Sequence, residues 1–554
     1  MEAFKIIYTV LGGLGIFFYG MKSMSEALQS VTGDVIKRSI ATITKNRVSA
    51  VIAGTIVTIL VQSSSVSTVM TIGFVNAGLM NLTQAIGVIF GANIGTTITG
   101  WIISIKVGKY GLLFIGAGIF PMLFGKSVKR RQLGRIAFGI GMIFFGLSIM
   151  SGAFKPLRSM PEFLDMISYF SAQTYGSYIA SIISGCILTM IVQSSSAMLG
   201  ITMALAMTGV IQFHTAAALV LGENIGTTIT ALLASVGGNI NAKRAARAHA
   251  IFNLLGVVCI FSIFPFYIEF IEFVVPGAAN AANAAGEFPN VAVHIATGHT
   301  IFNVTATLLF LPFLKKLSNF VVKITPDTEE KEVNHFVMLG EVKDMVPATA
   351  LAQVRAEVDK LLDIVNRMYS LTTEYVNLKT KDEKAALEKI SHYEQVADNI
   401  QKEVTVYLVK LMGTPMTEAE SREAQSLIKI VDEVESVTDY VEKLARYMGK
   451  ISRKDLFCAE SEKDFNEYYN SVKKYYEFTT VELMKYSTVD VDASKKVSAD
   501  LKHKADELRK EHVVRLKEGK VSPLSTLVYS DMIVALRKIR SHTENICVAQ
   551  NTMS

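Results

Sequence analysis

The sequence predicts an all-α fold in two parts: a polytopic membrane domain with inverted repeats and re-entrant helical hairpins, then a soluble helical bundle. Three observations lead there. Half of the 554 residues are hydrophobic and mean hydropathy is positive. Charged residues are sparse before about residue 325 and crowded after it. A Gln-Ser-Ser-Ser run also occurs twice, each time in the middle of an apolar stretch. The expected division is therefore 1–325 for the membrane domain and 326–554 for the helical domain, since a chain of this length exceeds one core.

The membrane elements are expected at about 6–29, 48–75, 82–105, 111–125, 136–150, 177–208, 213–236, 247–275 and 291–314. Apolar runs of roughly 17–25 residues match the hydrocarbon thickness of a bilayer. The first run has one preceding lysine and no small-residue cleavage site, so it reads as a first membrane helix and not a leader. Two stretches, 48–75 and 177–208, are interrupted by Gln62-Ser63-Ser64-Ser65 and Gln193-Ser194-Ser195-Ser196. Four adjacent polar residues at membrane depth survive where buried in protein or lining a wet cavity. Both stretches are expected to be helical hairpins or broken helices.

The duplication extends beyond these tips. From Thr58/Thr189 to Thr99/Thr230 the same register holds without a gap, with about 17 of 42 positions identical. Upstream, Gly13–Gly20 matches Gly139–Gly146, so repeat 1 covers about 6–125 and repeat 2 about 136–314. The basic loops Lys37–Arg47, Lys126–Arg135, Lys243–Arg247 and Lys315–Lys323 are assigned to the cytoplasm. With both hairpins re-entrant, the repeats come out inverted, which puts a site near the midplane. Lys106, Lys109, Lys155 and Arg158 then fall outside, a mild cost.

Hydroxyls and amides both donate and accept hydrogen bonds. A tip built from them can hold an oxyanion with hydroxyls, amides and helix N-termini, and a sodium ion with oxygens. Asn93, Thr96 and Thr97, with their repeat partners Asn224, Thr227 and Thr228, add further groups beside it. No Arg or Lys is expected near either motif, so an anion would depend on neutral donors and co-bound cations. Glu223 stands where repeat 1 has Ala92, and an intramembrane carboxylate is a candidate sodium ligand or proton-linked group. Small and hydroxyl residues also glue membrane helices, which competes as a reading for the threonines. A second pair, His249-x-x-Phe252-Asn253 and His299-x-x-Phe302-Asn303, either lines the cavity or bonds across a helix interface.

These motifs resemble the bacterial sodium/phosphate cotransporters related to the animal type II carriers, over roughly residues 1–320. The resemblance implies sodium-driven movement of inorganic phosphate across the cell membrane, with the two tips meeting near the substrate. Gln62, Ser63, Ser64, Ser65, Gln193, Ser194, Ser195 and Ser196 would then carry phosphate and sodium binding. Rival readings are another small oxyanion as cargo, or a membrane-anchored sensor that binds without transporting.

After Pro326, six stretches show apolar residues at i, i+3 and i+4: 352–371, 383–412, 418–448, 463–486, 493–518 and 522–554. One or two antiparallel three-helix bundles are expected, on the cytoplasmic side. The tail resembles the PhoU-like regulatory domain, whose acidic clusters bind iron or another divalent metal. Glu394/Asp398 and Glu435/Asp439 match such pairs, each on one helix face, while Arg540–Asn545 departs from the third. A solvated charged face is the competing reading. The tail is also the expected contact for a regulatory protein or a second copy of the chain. Four scattered cysteines exclude a disulfide framework, and no Walker loop or Ser/His/Asp arrangement suggests an enzyme or an ATP-driven pump. A net charge of +6 gives no case for nucleic acid.

Overall fold

A computed structural model of the chain describes all residues except 1, 43–45, 77, 106–109, 161–173, 237, 285, 327–346, 377–382, 415, 452, 485–489 and 554. The loop lysines Lys106 and Lys109 and the boundary segment after Pro326 lie outside the described residues. Every described regular element is helical. The chain divides into two compact units, the larger parts being Met1–Thr328 and Pro347–Ser554.

In the first unit, α1 (Glu2–Thr42) leads to the broken pair α2 (Arg47–Val61) and α3 (Ser64–Asn76). Then come α4 (Leu82–Ser104), α5 (Gly111–Phe124) and α6 (Val128–Phe154). A second broken pair follows, α7 (Tyr175–Val192) and α8 (Ser195–Met207), then α9 (Phe213–Gly226) and α10 (Thr228–Ala234). The unit closes with α11 (Ile240–Ser262), α12 (Phe264–Val274), α13 (Val291–Phe310) and α14 (Leu314–Ile324). Among the described residues, seven helical segments are long and apolar enough to cross a membrane, and α2, α5 and α8 are shorter apolar helices.

The helix breaks fall where the polar runs interrupt the apolar ones, and small residues seat the pieces. A Cβ on Gly54 would sit 2.1 Å from the Val88 carbonyl oxygen, and one on Gly91 2.0 Å from that of Val51. The repeat partners behave alike: a Cβ on Gly185 would sit 2.2 Å from the Leu219 carbonyl oxygen, and one on Gly222 1.9 Å from that of Ile182. Thus α2–α4 and α7–α9 pack in the same register through backbone contact. Helices α1 and α6 cross with Gly13 against Gly146 and Gly20 against Gly139. Because Gly13 matches Gly139 and Gly20 matches Gly146, this crosswise pairing makes the two helices antiparallel.

Two expected spans differ. The stretch 213–236 is two helices, α9 and α10, divided at Thr227, whereas its partner α4 runs unbroken. Similarly, 247–275 divides at Ile263, just before Pro265, into α11 and α12.

The second unit has six long helices: α15 (Pro347–Val376), α16 (Glu383–Met412), α17 (Glu418–Met448), α18 (Ala459–Met484), α19 (Val491–Lys517) and α20 (Pro523–Asn551). The first three pack together, the last three pack together, and α17 lies along α20. Fully buried Val434, Val437, Val441, Ile533, Leu536 and Ile539 fill this core at i, i+3 and i+4 spacing.

Candidate functional site

Each broken pair turns on a glutamine. Gln62 ends α2 with φ 57° and Gln193 ends α7 with φ 55°, and among the described residues these are the two non-glycine positions in the left-handed region. The backbone N–H of each donates to the carbonyl four residues back, Thr58 or Thr189, at 2.7 Å. Glycine normally takes this position after a helix, because a Cβ there costs about 1 kcal/mol. A side chain held at such a point directs attention to its chemistry.

The next residues start the following helix. Ser63 and Ser194 cap it, their hydroxyls accepting at 3.3 Å from the N–H of Val66 and Ala197. Ser64 and Ser65, like Ser195 and Ser196, then occupy the first turn of α3 or α8. There the N–H groups lack intrahelical acceptors and the helix dipole is positive. All eight residues of the two tips line one cavity of about 290 Å³, with Phe17, Phe18, Met21, Lys22 and Ser25 of α1 and Ala197 completing the wall. At about 30 Å³ per water, that is room for roughly nine water-sized molecules. Two sets of hydroxyls, two primary amides and two helix N-termini therefore face the same polar space.

The structure places the other sequence candidates behind this cavity. Asn93 and Asn224 tie the motif helices to the His-x-x-Phe-Asn segments: Asn93 Nδ2 donates to Asn253 Oδ1 at 3.0 Å, and Asn303 Nδ2 donates to Asn224 Oδ1 at 3.3 Å. His249 Nε2 also lies 3.3 Å from Asn93 Oδ1. Asn253 with His249, and Asn303, thus bond across helix interfaces. Thr96 and Thr97 donate to carbonyls of their own helix α4, and Thr227 and Thr228 donate to the Glu223 and Ile225 carbonyls of α9. Thr99 reaches Gln62 Oε1 at 3.4 Å, whereas the matching Thr230 donates back to Thr227. The buried hydroxyls of Thr58 and Thr189, one in each repeat, have no hydrogen-bond partner.

Glu223 is buried on α9 and does not line the cavity. It accepts from the Thr202 hydroxyl of α8 at 2.8 Å. Thr71, which matches Thr202, donates to the Ser67 carbonyl at 2.7 Å, since Ala92 offers it no acceptor.

One expectation fails. Lys22 lines the cavity, so a basic residue does stand beside the motifs. The sequence carried the signal: Phe18, Met21, Lys22 and Ser25 share one face of α1, and Lys22 is a charge inside the first apolar span.

In the second unit, Asp398 pairs with Lys402 at 2.6 Å and Asp439 with Lys443 at 2.5 Å. Burial first, and then neighbouring carboxylates, push the carboxyls of Glu394 and Glu435 above their ordinary range. Among the described residues, no group of three or more His, Cys, Asp and Glu is gathered tightly enough to hold a metal ion. The four residues as arranged, with lysines on two of them, do not fit the metal expected there. In α20, His542 Nδ1 lies 2.7 Å from Glu433 Oε2 of α17 and Arg540 faces Glu544 at 3.2 Å, so the segment that departs from the acidic pattern pairs with carboxylates on α17 and on its own helix.

Fold and site together define a polytopic helical membrane protein whose duplicated broken helices converge on one polar cavity. The chain belongs to the Na+/Pi-cotransporter family. The family's model matches residues 16–152 and 165–270, and a PhoU domain model matches 358–448. The uncharacterized protein YqeW of Bacillus subtilis is 32% identical over 317 residues, covering 56% of this chain and 95% of that one. YjbB of Salmonella typhimurium, named for inorganic phosphate export, is 23% identical over 466 residues, or 84% of this chain and 82% of its own. The sodium-dependent phosphate transport protein 2A of Rattus norvegicus is 38% identical over 167 residues, or 29% of this chain and 26% of its own. No solved structure matches the chain.

Proposed function

We propose that this chain is a sodium-coupled secondary transporter that moves inorganic phosphate across the cell membrane, with its two Gln-Ser-Ser-Ser tips forming the transport site. The observation that carries the reading is the single cavity lined by both tips. Serine hydroxyls, glutamine amides and the first-turn N–H groups of α3 and α8 supply donors for phosphate oxygens. The partnerless hydroxyls of Thr58 and Thr189 are buried oxygens one helical turn from each glutamine, suited to a sodium ion. Relatives named both for sodium-dependent transport and for phosphate export support phosphate as cargo.

Access alternates as the two inverted halves rearrange around the cavity. The crosswise glycine contact of α1 and α6 supports that inversion. The basic loops support a cytoplasmic helical unit, which regulates transport by contacting a protein partner or a second copy.

The test is uptake of labelled phosphate into proteoliposomes under an imposed sodium gradient. Gln62→Ala and Gln193→Ala each reduce uptake to background while the protein still elutes as one species in detergent. Normal uptake by both variants removes the tips from the site. Binding without accumulation by the unaltered protein replaces transport with sensing.

A further inference from the structure

Of the residues lining the cavity, Lys22 alone carries a charged side chain. That side chain is 67% exposed, so the ammonium stands at the mouth of the cavity and not at its floor. Its nearest carboxylate is Glu26, one turn further along α1, at 4.0 Å. Glu26 is already engaged, making a short ion pair with Arg135 of α6, while Arg135 Nε donates to Ser23 Oγ at 3.1 Å. Three charges thus sum to one positive, and Arg135 is the cation that satisfies the carboxylate.

Lys22 thus shares the cavity's lining with residues that bear hydroxyls and amides. The arrangement is one-sided: the second-repeat positions matching Lys22 and Glu26 are Ser148 and Gly152, so no equivalent charge comes from α6. Neutral donors hold an oxyanion whatever its charge, whereas a lone cation at a polar mouth acts at longer range.

We propose that Lys22 recruits the anion to the cavity, and that Arg135 positions it by drawing Glu26 toward itself. The inference rests on the cavity being the phosphate site. Lys22 acts on capture of the anion and not on the rearrangement that follows, so its removal falls on KM. Its effect weakens as salt screens it. Arg135 acts through Glu26: once released, that carboxylate pairs with Lys22 and cancels it.

The experiment measures labelled phosphate uptake at fixed sodium in proteoliposomes of Lys22→Gln, Lys22→Arg, Arg135→Gln and the double variant Arg135→Gln/Glu26→Gln. Lys22→Gln raises KM roughly five- to tenfold with the maximal rate within about twofold, and Lys22→Arg restores KM. Added choline chloride raises the KM of the unaltered protein more steeply than that of Lys22→Gln. Arg135→Gln weakens capture as Lys22→Gln does, and the double variant recovers it. An unchanged KM in Lys22→Gln, a loss confined to the maximal rate, or an equal salt response overturns the role of Lys22. A double variant as weak as Arg135→Gln overturns that of Arg135.

If the unaltered protein accumulates no phosphate, the transport reading has failed separately. Equilibrium dialysis of phosphate against the same variants in detergent then decides on Lys22, with weaker binding by Lys22→Gln supporting it and equal binding overturning it.

Discussion

The two motif tips share sequence, backbone angles and cap geometry, but their surroundings differ. Gln62 is buried, its amide oxygen near the Thr99 hydroxyl and its Nε2 donating to the Ile59 carbonyl at 2.5 Å. Gln193 is exposed, and Thr230 has turned its hydroxyl back on its own helix. Ser25 of α1 fastens the end of α2 by donating to the Val61 carbonyl at 2.6 Å. Among the described residues no such bond joins the matching Ser151 to Val192. Behind the tips, α4 is continuous with Ala92 at its centre, while α9 and α10 divide four residues after Glu223. Duplicated chemistry has been set in one closed frame and one looser frame. What the halves hold in common is the site and its packing; what they do not share is how tightly each tip is gripped.

The comparison can be pressed where it is most symmetric. Gly91→Ala and Gly222→Ala each drive a Cβ to about 2 Å from a carbonyl oxygen, in α4 against α2 and in α9 against α7. Both are expected to cost on the order of 3 kcal/mol or more, because backbone cannot move aside as a flexible side chain does. The yield of monodisperse protein in detergent should collapse for both. Survival of one alone would mean that the matched packing does not carry equal weight in the two halves.

Glu223 tests the asymmetry. Glu223→Gln keeps an acceptor for Thr202 and removes the ionisable carboxyl, so uptake is expected to fall roughly tenfold while thermal stability shifts by less than about 1 kcal/mol. Unchanged uptake at all sodium concentrations would reduce Glu223 to an interhelical hydrogen-bond acceptor.

The smallest effect concerns the grip on the tips. Ser25→Ala removes the hydrogen bond to the end of α2 and should lower stability by about 1 kcal/mol, read as a shift in detergent melting temperature. Ser151→Ala should leave it unmoved. Equal shifts would place the two serines in equivalent roles and dissolve this part of the contrast.

Much of this was legible in the sequence because it depends on local chemistry. A run of four polar residues cannot continue an apolar helix, and both breaks fall on those residues. The helices at 383–412 and 418–448 coincide with the periodic segments that indicated them. The pairing of Asn93 with Asn253 and of Asn224 with Asn303 followed from one of the two uses left open for the histidine–asparagine segments.

What could not be read was tertiary. Periodicity says which face of α1 is distinctive but not which cavity that face meets, so Lys22 and Ser25 were missed. Nor does the repeat reveal where its copies diverge: the division at Thr227 lies in residues identical to those of unbroken α4. Acidic spacing in α16 and α17 placed carboxylates on common faces, yet each lysine four residues further on was equally able to pair with them, and did.

The glycines at the crossing of α1 and α6 carry one more consequence. Helices that meet through side chains interlock like gear teeth, and turning one past the other requires the teeth to disengage. Here a Cβ added at Gly20 or Gly139 would sit 2.7 Å from the other's carbonyl oxygen, and one at Gly146 2.6 Å from that of Gly13. Met24, Met142 and Met150 flank these contacts, so the glycines are gaps in rows of interlocked side chains. A side chain added at any of them would wedge the two helices apart.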